Sequence, residues 1–353
     1  MSKKNDGNYF EDFTLGQVII HATPRTVTVG DVSLYSALYG MRVALQSSDE
    51  FARASGLPRA PVDDMLTFHI VFGKTVPDIS INAVANLGYA DCRFLRPVYA
   101  GDTLSATSKV IGLKENSNGR TGNVYVRTSG INQRGEAVLD YVRWVMVNKR
   151  DSASPAPETV IPDLPDVVAP ENLIVPEGLQ YKNYDARHAG SAYYWEDYDI
   201  GEKISHVDGM TVEAADHMLA TRLYQNTAKV HFNLHAMKDG RLGERIVYGG
   251  HVISLVRGLS FNGLGNGQTI LAINGGRHVN PCIAGDTVYG WSEVLDKAEI
   301  TGRDDLAALR CRMVALKDKT PEDFTGKMDD GKYDPAVLLD IDLWLLMPKR
   351  MQK

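Results

Sequence analysis

Tyr9-Phe10-Glu11-Asp12-Phe13-Thr14-Leu15-Gly16 returns, 185 positions later, as Tyr194-Trp195-Glu196-Asp197-Tyr198-Asp199-Ile200-Gly201. The same offset carries His21 onto His206. Pro97-Val98-Tyr99-Ala100-Gly101-Asp102-Thr103-Leu104 then returns as Pro281-Cys282-Ile283-Ala284-Gly285-Asp286-Thr287-Val288, offset 184. Near the end, Leu139-Asp140 and Trp144 return as Leu339-Asp340 and Trp344, offset 200, with the extra length in a polar stretch between Lys317 and Pro335. Matches in one order at so long a period mark a duplicated domain, not a solenoid unit. Two copies of one domain pack as a pseudo-twofold pair, as a homodimer would.

Between the copies, residues 151–190 hold Pro155, Pro157, Pro162, Pro165, Pro170 and Pro176, six of the fifteen prolines. Each proline removes an N–H and blocks helix, so this stretch reads as an extended linker. The boundaries are therefore 1–150, 151–190 and 191–353. Each copy opens with a short strand, at 26–29 or 210–212, and then a helix near Asp31 or Asp216, acids suited to a first turn. Leu34, Leu38 and Leu45 in copy one, and Leu219, Leu223 and Val230 in copy two, suggest a helix buried along one face. Strands are expected at 123–129, 138–147, 309–315 and 339–347. One long helix followed by an antiparallel meander predicts an α+β domain with its sheet wrapped around the helix.

With 44% hydrophobic and 23% charged residues among 353, the composition is that of a soluble globular protein. A net charge of −6 offers no basic face for nucleic acid. The first thirteen residues hold no apolar run, so no signal peptide is read there, and no segment approaches the roughly 18 apolar residues of a membrane span. Cys92, Cys282 and Cys311 form no CxxC pair and read as reduced, buried thiols of a cytoplasmic protein. No His, Cys, Asp and Glu spacing suggests a metal, and no GxGxxG or Walker loop suggests a nucleotide cofactor.

In copy two, Leu223-Tyr224-Gln225-Asn226-Thr227-Ala228-Lys229-Val230-His231 resembles the A-x-x-S-G-D-x-N-P-x-H motif of the MaoC-like, R-specific enoyl-CoA hydratases of the hot-dog fold. His231 matches the motif's histidine, and Asn226 stands where it has aspartate. That family receives the thioester oxygen on a glycine N–H some eighteen positions further on, which here is Gly249 within Tyr248-Gly249-Gly250-His251. Copy one has Met41, Gln46 and Asp64 at the three matching places, so the resemblance implies catalysis in copy two alone. Over 9–350 the chain is similar to the mesaconyl-CoA hydratases (β-methylmalyl-CoA dehydratases). The similarity is carried by Ala22-Thr23-Pro24-Arg25, by 71–80, by 220–228, by Val230-His231-Phe232-Asn233 and by Tyr248-Gly249-Gly250-His251.

The resemblance implies a tandem double hot-dog and a hydro-lyase acting on a CoA thioester, with no cofactor beyond the CoA of the substrate. His231 is then the expected general acid/base, Asn226 the residue that orients water, and Gly249 the oxyanion donor. Gly250, His251 and Tyr224 are expected beside the substrate. Its free carboxylate calls for a cation, with Arg222, Arg277 and, across the seam, Arg42 as candidates beside Lys229, Arg245 and Arg257. His206, which mirrors His21, reads as structural, and His217, His235 and His278 as ordinary. A homo-oligomer is expected. Two other readings stay open: a hydratase of unsubstituted 2-enoyl-CoA, and a non-catalytic acyl-CoA-binding protein.

Overall fold

The computed structural model describes residues 3–240 and 242–351. Its strands are β1 (Val18–Thr26), β2 (Ala83–Phe94), β3 (Thr103–Glu115), β4 (Thr121–Ile131) and β5 (Ala137–Asn148) in copy one. Copy two has β6 (Lys203–Ser205), β7 (Met210–Thr211), β8 (Thr269–His278), β9 (Thr287–Glu299), β10 (Leu306–Lys317) and β11 (Val337–Pro348). All join one sheet in the order β1-β3-β4-β5-β2-β8-β11-β10-β9-β6, with β7 also on β9. Read from either end, this is one strand order met twice. The halves meet where Tyr89, Ala90, Cys92 and Arg93 of β2 pair antiparallel with Gly276, Gly275, Ile273 and Ala272 of β8.

The helices that matter are α1 (Val29–Tyr39), α2 (Asp64–Thr75), α3 (Ala214–Leu223) and α4 (Gly249–Leu259). Thr28 and Asp31 close a capping box on α1, and Gly40, at φ 57°, ends it. Leu45 therefore falls in a separate turn, Ala44–Ser47, and Val230 in the 3-10 turn Lys229–His231. The buried face of α1 is Tyr35 and Tyr39, not the leucines. The helix each half-sheet wraps is a later one: in α2 every residue from Met65 to Thr75 is buried, and in α4 every residue from Gly250 to Leu259. Both helices carry polar residues inside the enclosure, His69 and Lys74 in α2 and His251, Ser254 and Arg257 in α4, so neither reads as a continuous apolar run. The α+β class stands, with the central helix reassigned.

The two copies touch backbone to backbone at mirrored glycines. A Cβ added to Gly73 would lie 1.8 Å from the Tyr224 carbonyl oxygen, and one on Gly258 would lie 2.4 Å from that of Tyr39. Tyr39 and Tyr224, themselves mirror positions, share a hydroxyl hydrogen bond of 2.7 Å. His69 Nε2 and Ser254 Oγ are 3.0 Å apart, and Tyr35 OH donates to the same Oγ. The repeated Gly-Asp turns also match: Gly101 and Gly285 have φ of 104° and 99°, and Asp102 and Asp286 accept the N–H groups of Tyr99 and Ile283. His21 and His206 hold Ser108 and Ser292 in the same manner, so their repetition is structural.

The linker is not wholly extended; it includes a 3-10 turn, Pro170–Asn172, and a short helix, Ala186–Ala189. It packs closely: Val168, Leu173, Leu179 and Tyr181 share a buried cluster with Leu271, Leu306 and Trp344, and the Trp344 indole donates to the Val168 carbonyl at 3.0 Å. No helix among the described residues is long and apolar enough to cross a membrane.

Because the Gly73 contact is with backbone, no side chain can swing aside to admit a methyl group. Gly73→Ala is expected to cost roughly 3 kcal/mol of stability, seen as a lower midpoint in urea or thermal unfolding. An unchanged midpoint would mean that the copies do not meet there.

Candidate active site

A pocket of about 690 Å³ opens along the seam, within the range that holds small-molecule ligands. Copy two supplies the stretch from Asn226 to His231, Val247 to Gly249, and His278. Copy one supplies Phe72, Ser80, Asn86, Tyr89 and Arg143.

The chain reaches this pocket by a sharp reversal after α3. Gln225 takes a left-handed φ of 54°, and its side-chain oxygen accepts from Lys74 of copy one at 3.1 Å. Asn226, only 6% exposed, then closes an Asx turn, its Oδ1 accepting the Ala228 N–H at 2.9 Å. That bond commits the oxygen and leaves the amide NH₂ as the free end. The segment is pinned to the strand-like run before α4 by two bonds. Ile246 N–H donates to the Val230 carbonyl, and His231 Nδ1 donates to the Ile246 carbonyl at 2.8 Å. A carbonyl can only accept, so Nδ1 bears the proton and Nε2 is left as the basic lone pair. Burial lowers the His231 pKa to about 4, so this imidazole is neutral near pH 7.

Gly249 is the first residue of α4, where an N–H has no intrahelical acceptor and the helix dipole favours negative charge. A Cβ on Gly249 would lie 2.4 Å from Cε1 of His278, so the glycine is required by the imidazole lying against it. His278 Nε2 in turn shares a 3.0 Å hydrogen bond with the Tyr89 hydroxyl of copy one. Burial, and secondarily the nearby His231, bring the His278 pKa to about 4. His278 is thus part of the site and not an ordinary surface histidine. Its position as the last of the ten residues of β8, after Gly275, Gly276 and Arg277, gave no sequence signal that it would fold back onto Gly249.

At the mirror position the site is filled. Asp64, in the place of Gly249, accepts from Gln46 Nε2 at 3.0 Å, Thr269 Oγ1 at 2.7 Å and the Ile270 N–H at 2.8 Å. Gln46 stands in the place of His231. The remaining space is about 20 Å³, closed in part by Ile174 and Pro176 of the linker. That is room for about one water.

Comparison with known proteins gives the family. The model of the mesaconyl-CoA hydratase family matches residues 1–329. The chain belongs to that family. It is 63% identical to a β-methylmalyl-CoA dehydratase of Chloroflexus aurantiacus, across 99% of both chains. It is 62% identical to a mesaconyl-CoA hydratase of Cereibacter sphaeroides, across 98% of this chain and all of that one. The solved structure of a MaoC-domain dehydratase from Chloroflexus aurantiacus superposes with a TM-score of 0.98 at 63% identity, over 99% of this chain and 100% of that one. A double hot-dog protein of Mycobacterium tuberculosis, 24% identical over 98% and 99% of the two chains, shares the fold with a TM-score of 0.77. The chain is accordingly a double hot-dog hydro-lyase.

Against the mesaconyl-CoA hydratase motif, the pocket gathers His231, Asn226 and Gly249, and Lys229 lies at its edge. Three other expected residues sit behind it in the seam. Tyr224 bonds Tyr39, His251 Nδ1 meets the Tyr39 hydroxyl at 2.9 Å, and Gly250 is pressed against the His69 and Tyr248 rings. They hold the helices together and do not line the pocket. Arg222, Arg277 and Arg42 are exposed and outside it, Arg42 lying 4.5 Å over the Phe261 ring. Arg257 is buried but donates to Ser260 and Gly267, and Arg245 pairs with Glu244. Besides Lys229, the pocket holds the cation Arg143, which sequence reading passed over as one charge within the strand 138–147. Among the described residues no cluster of His, Cys, Asp or Glu could hold a metal ion, and the three thiols are buried.

The buried histidines of the seam couple stability to acid. Burial holds the pKa of His69 and His251 at about 3 and that of His206 at about 4. Above about pH 6.5 these groups are neutral whether the chain is folded or not. Below it only the unfolded chain takes up the protons, at a cost to folding of about 1.4 kcal/mol per pH unit per histidine. Asp64, its pKa raised by burial to about 7, and Asp63, also raised by burial, act in the opposite sense, but they are outnumbered by these three histidines together with His231 and His278. The urea midpoint is therefore expected to fall between pH 7 and pH 5; a flat or rising midpoint would contradict these burials.

Proposed function

We propose that the chain catalyses reversible addition of water to mesaconyl-CoA (2-methylfumaryl-CoA), giving β-methylmalyl-CoA, at the copy-two side of the seam pocket. The observation that carries this reading is the pairing of His231, its Nδ1 proton committed to Ile246, with the free N–H of Gly249 on one wall. The identity of 62–63% to curated relatives bearing those activities supports the substrate.

In the hydration direction, His231 Nε2 takes a proton from water as the oxygen attacks C3, the carbon next to the free carboxylate. Charge moves through C2 to the thioester oxygen, where the Gly249 N–H and the α4 dipole stabilise the enolate. The imidazolium then gives its proton to C2. One oxygen and two hydrogens of water are accounted for, and the histidine returns to its starting form. A single histidine can do both transfers because burial makes its cation a strong acid.

Asn226 offers its NH₂ to the oxygen of the attacking water, since its carbonyl is held by Ala228. An aspartate here would set a second negative charge beside the substrate carboxylate, at a cost of roughly 1–4 kcal/mol depending on the local dielectric.

His231→Ala is expected to lower kcat on mesaconyl-CoA by roughly 10²- to 10⁴-fold with little change in KM. Asn226→Asp is expected to lower turnover of mesaconyl-CoA. Steady-state hydration assays read both; full activity without His231, or faster turnover with aspartate, would overturn the respective role.

A further inference from the structure

We propose that Arg143 is the residue that binds the free carboxylate of the substrate and so selects carboxylated enoyl thioesters. The proposal rests on the seam pocket being the reaction site described above.

Arg143 is wholly buried, at 0% exposure, in the pocket wall formed by copy one. Its Nη2 donates to Thr75 Oγ1 at 2.7 Å, while Nε and Nη1 have no hydrogen-bond partner. Among the described residues no carboxylate pairs with it, in contrast with Arg127, Arg310 and Arg312, each of which meets an aspartate. The Phe72 ring, 4.3 Å beneath the guanidinium, compensates its charge in part. Leaving a buried guanidinium without an anion is unfavourable, so a fold has no reason to keep one unless an anion arrives.

The surroundings point the same way. Ser80 Oγ and both polar atoms of the Asn86 amide are also buried, unpartnered and part of this pocket. Three polar side chains with free donors thus line the same pocket. Across the sheet, Arg143 pairs in register with Tyr89, which bonds His278, which lies on Gly249. The row runs from the oxyanion donor to the guanidinium, as a short diacid bound to CoA through one carboxyl group requires.

The duplication supplies an internal control. The offset that carries Leu139 and Trp144 onto Leu339 and Trp344 carries Arg143 onto Leu343, which is buried at 1% exposure. The same strand position is therefore filled by an apolar side chain in the copy whose half-sheet faces the closed mirror site. The strand does not need a charge there; the open pocket does.

Binding of two saturated thioesters separates this role from a structural one. Methylsuccinyl-CoA carries the carboxylate, and 2-methylbutyryl-CoA has a methyl group in its place; neither can be hydrated. By calorimetry, Arg143→Gln is expected to weaken methylsuccinyl-CoA by about 100-fold or more and 2-methylbutyryl-CoA by no more than about threefold. Arg143→Lys is expected to recover part of the loss, since charge returns without the planar fork. Should Arg143→Gln not fold, Thr75→Val, which frees Nη2 and the Phe72 carbonyl but keeps the guanidinium, is expected to weaken methylsuccinyl-CoA selectively by about tenfold. Equal loss for both ligands, or loss for neither, would overturn the proposal. Failure of the unaltered chain to hydrate mesaconyl-CoA would overturn the proposed reaction instead, and it is read independently of the binding ratio.

Discussion

Four residue pairs between β2 and β8 turn two half-sheets into one, and the site exists because of them. The pairing brings Tyr89 and, one strand further, Arg143 to the wall that faces Gly249 and His231. Behind it, the glycines of α2 and α4 let the copies approach until backbone meets backbone at Tyr224 and Tyr39. A pocket shared in this way belongs to neither copy. Copy two carries His231, Asn226 and Gly249, and copy one carries Arg143 and the polar row opposite them.

The pseudo-twofold relation makes the asymmetry readable as chemistry. At one end of the seam a helix begins with Gly249, whose N–H is open to a ligand. At the other a helix begins with Asp64, whose carboxylate occupies that place and accepts from Thr269, Ile270 and Gln46. One end is able to receive a developing negative charge, and the other already holds a group that would repel it. The linker residues Ile174 and Pro176 close what space is left. The chain thus has one open site per duplicated unit, with the second position turned over to packing.

Much of this was legible in the repeat. The Tyr9 and Tyr194 stretches, the Gly-Asp turns and the paired histidines all lie at mirrored places. So did the replacement of His231 and Gly249 by Gln46 and Asp64. The central helices were misplaced because His69 and Lys74 within Met65–Thr75, and His251, Ser254 and Arg257 within Gly250–Leu259, interrupt the apolar run although each of them is buried. Tyr224, His251 and Gly250 adjoin the motif in sequence but point to the seam network, since a helix turns neighbours away from one another. Arg143 and His278 were missed for the opposite reason. Arg143 lies in the mostly apolar run of β5 and His278 at the polar end of β8, and only the folded sheet brings both to one pocket. A lone charge that the mirrored strand replaces with Leu343 was the available signal for the first; the second had none.

A crystal structure with methylsuccinyl-CoA bound would test the central claim, that a single seam pocket built from both copies holds the acyl group. The expected result is one ligand per chain, with its thioester oxygen within hydrogen-bond distance of the Gly249 N–H and its acyl chain beside His231. A ligand seated at Asp64, or one whose thioester oxygen faces away from Gly249, would contradict it.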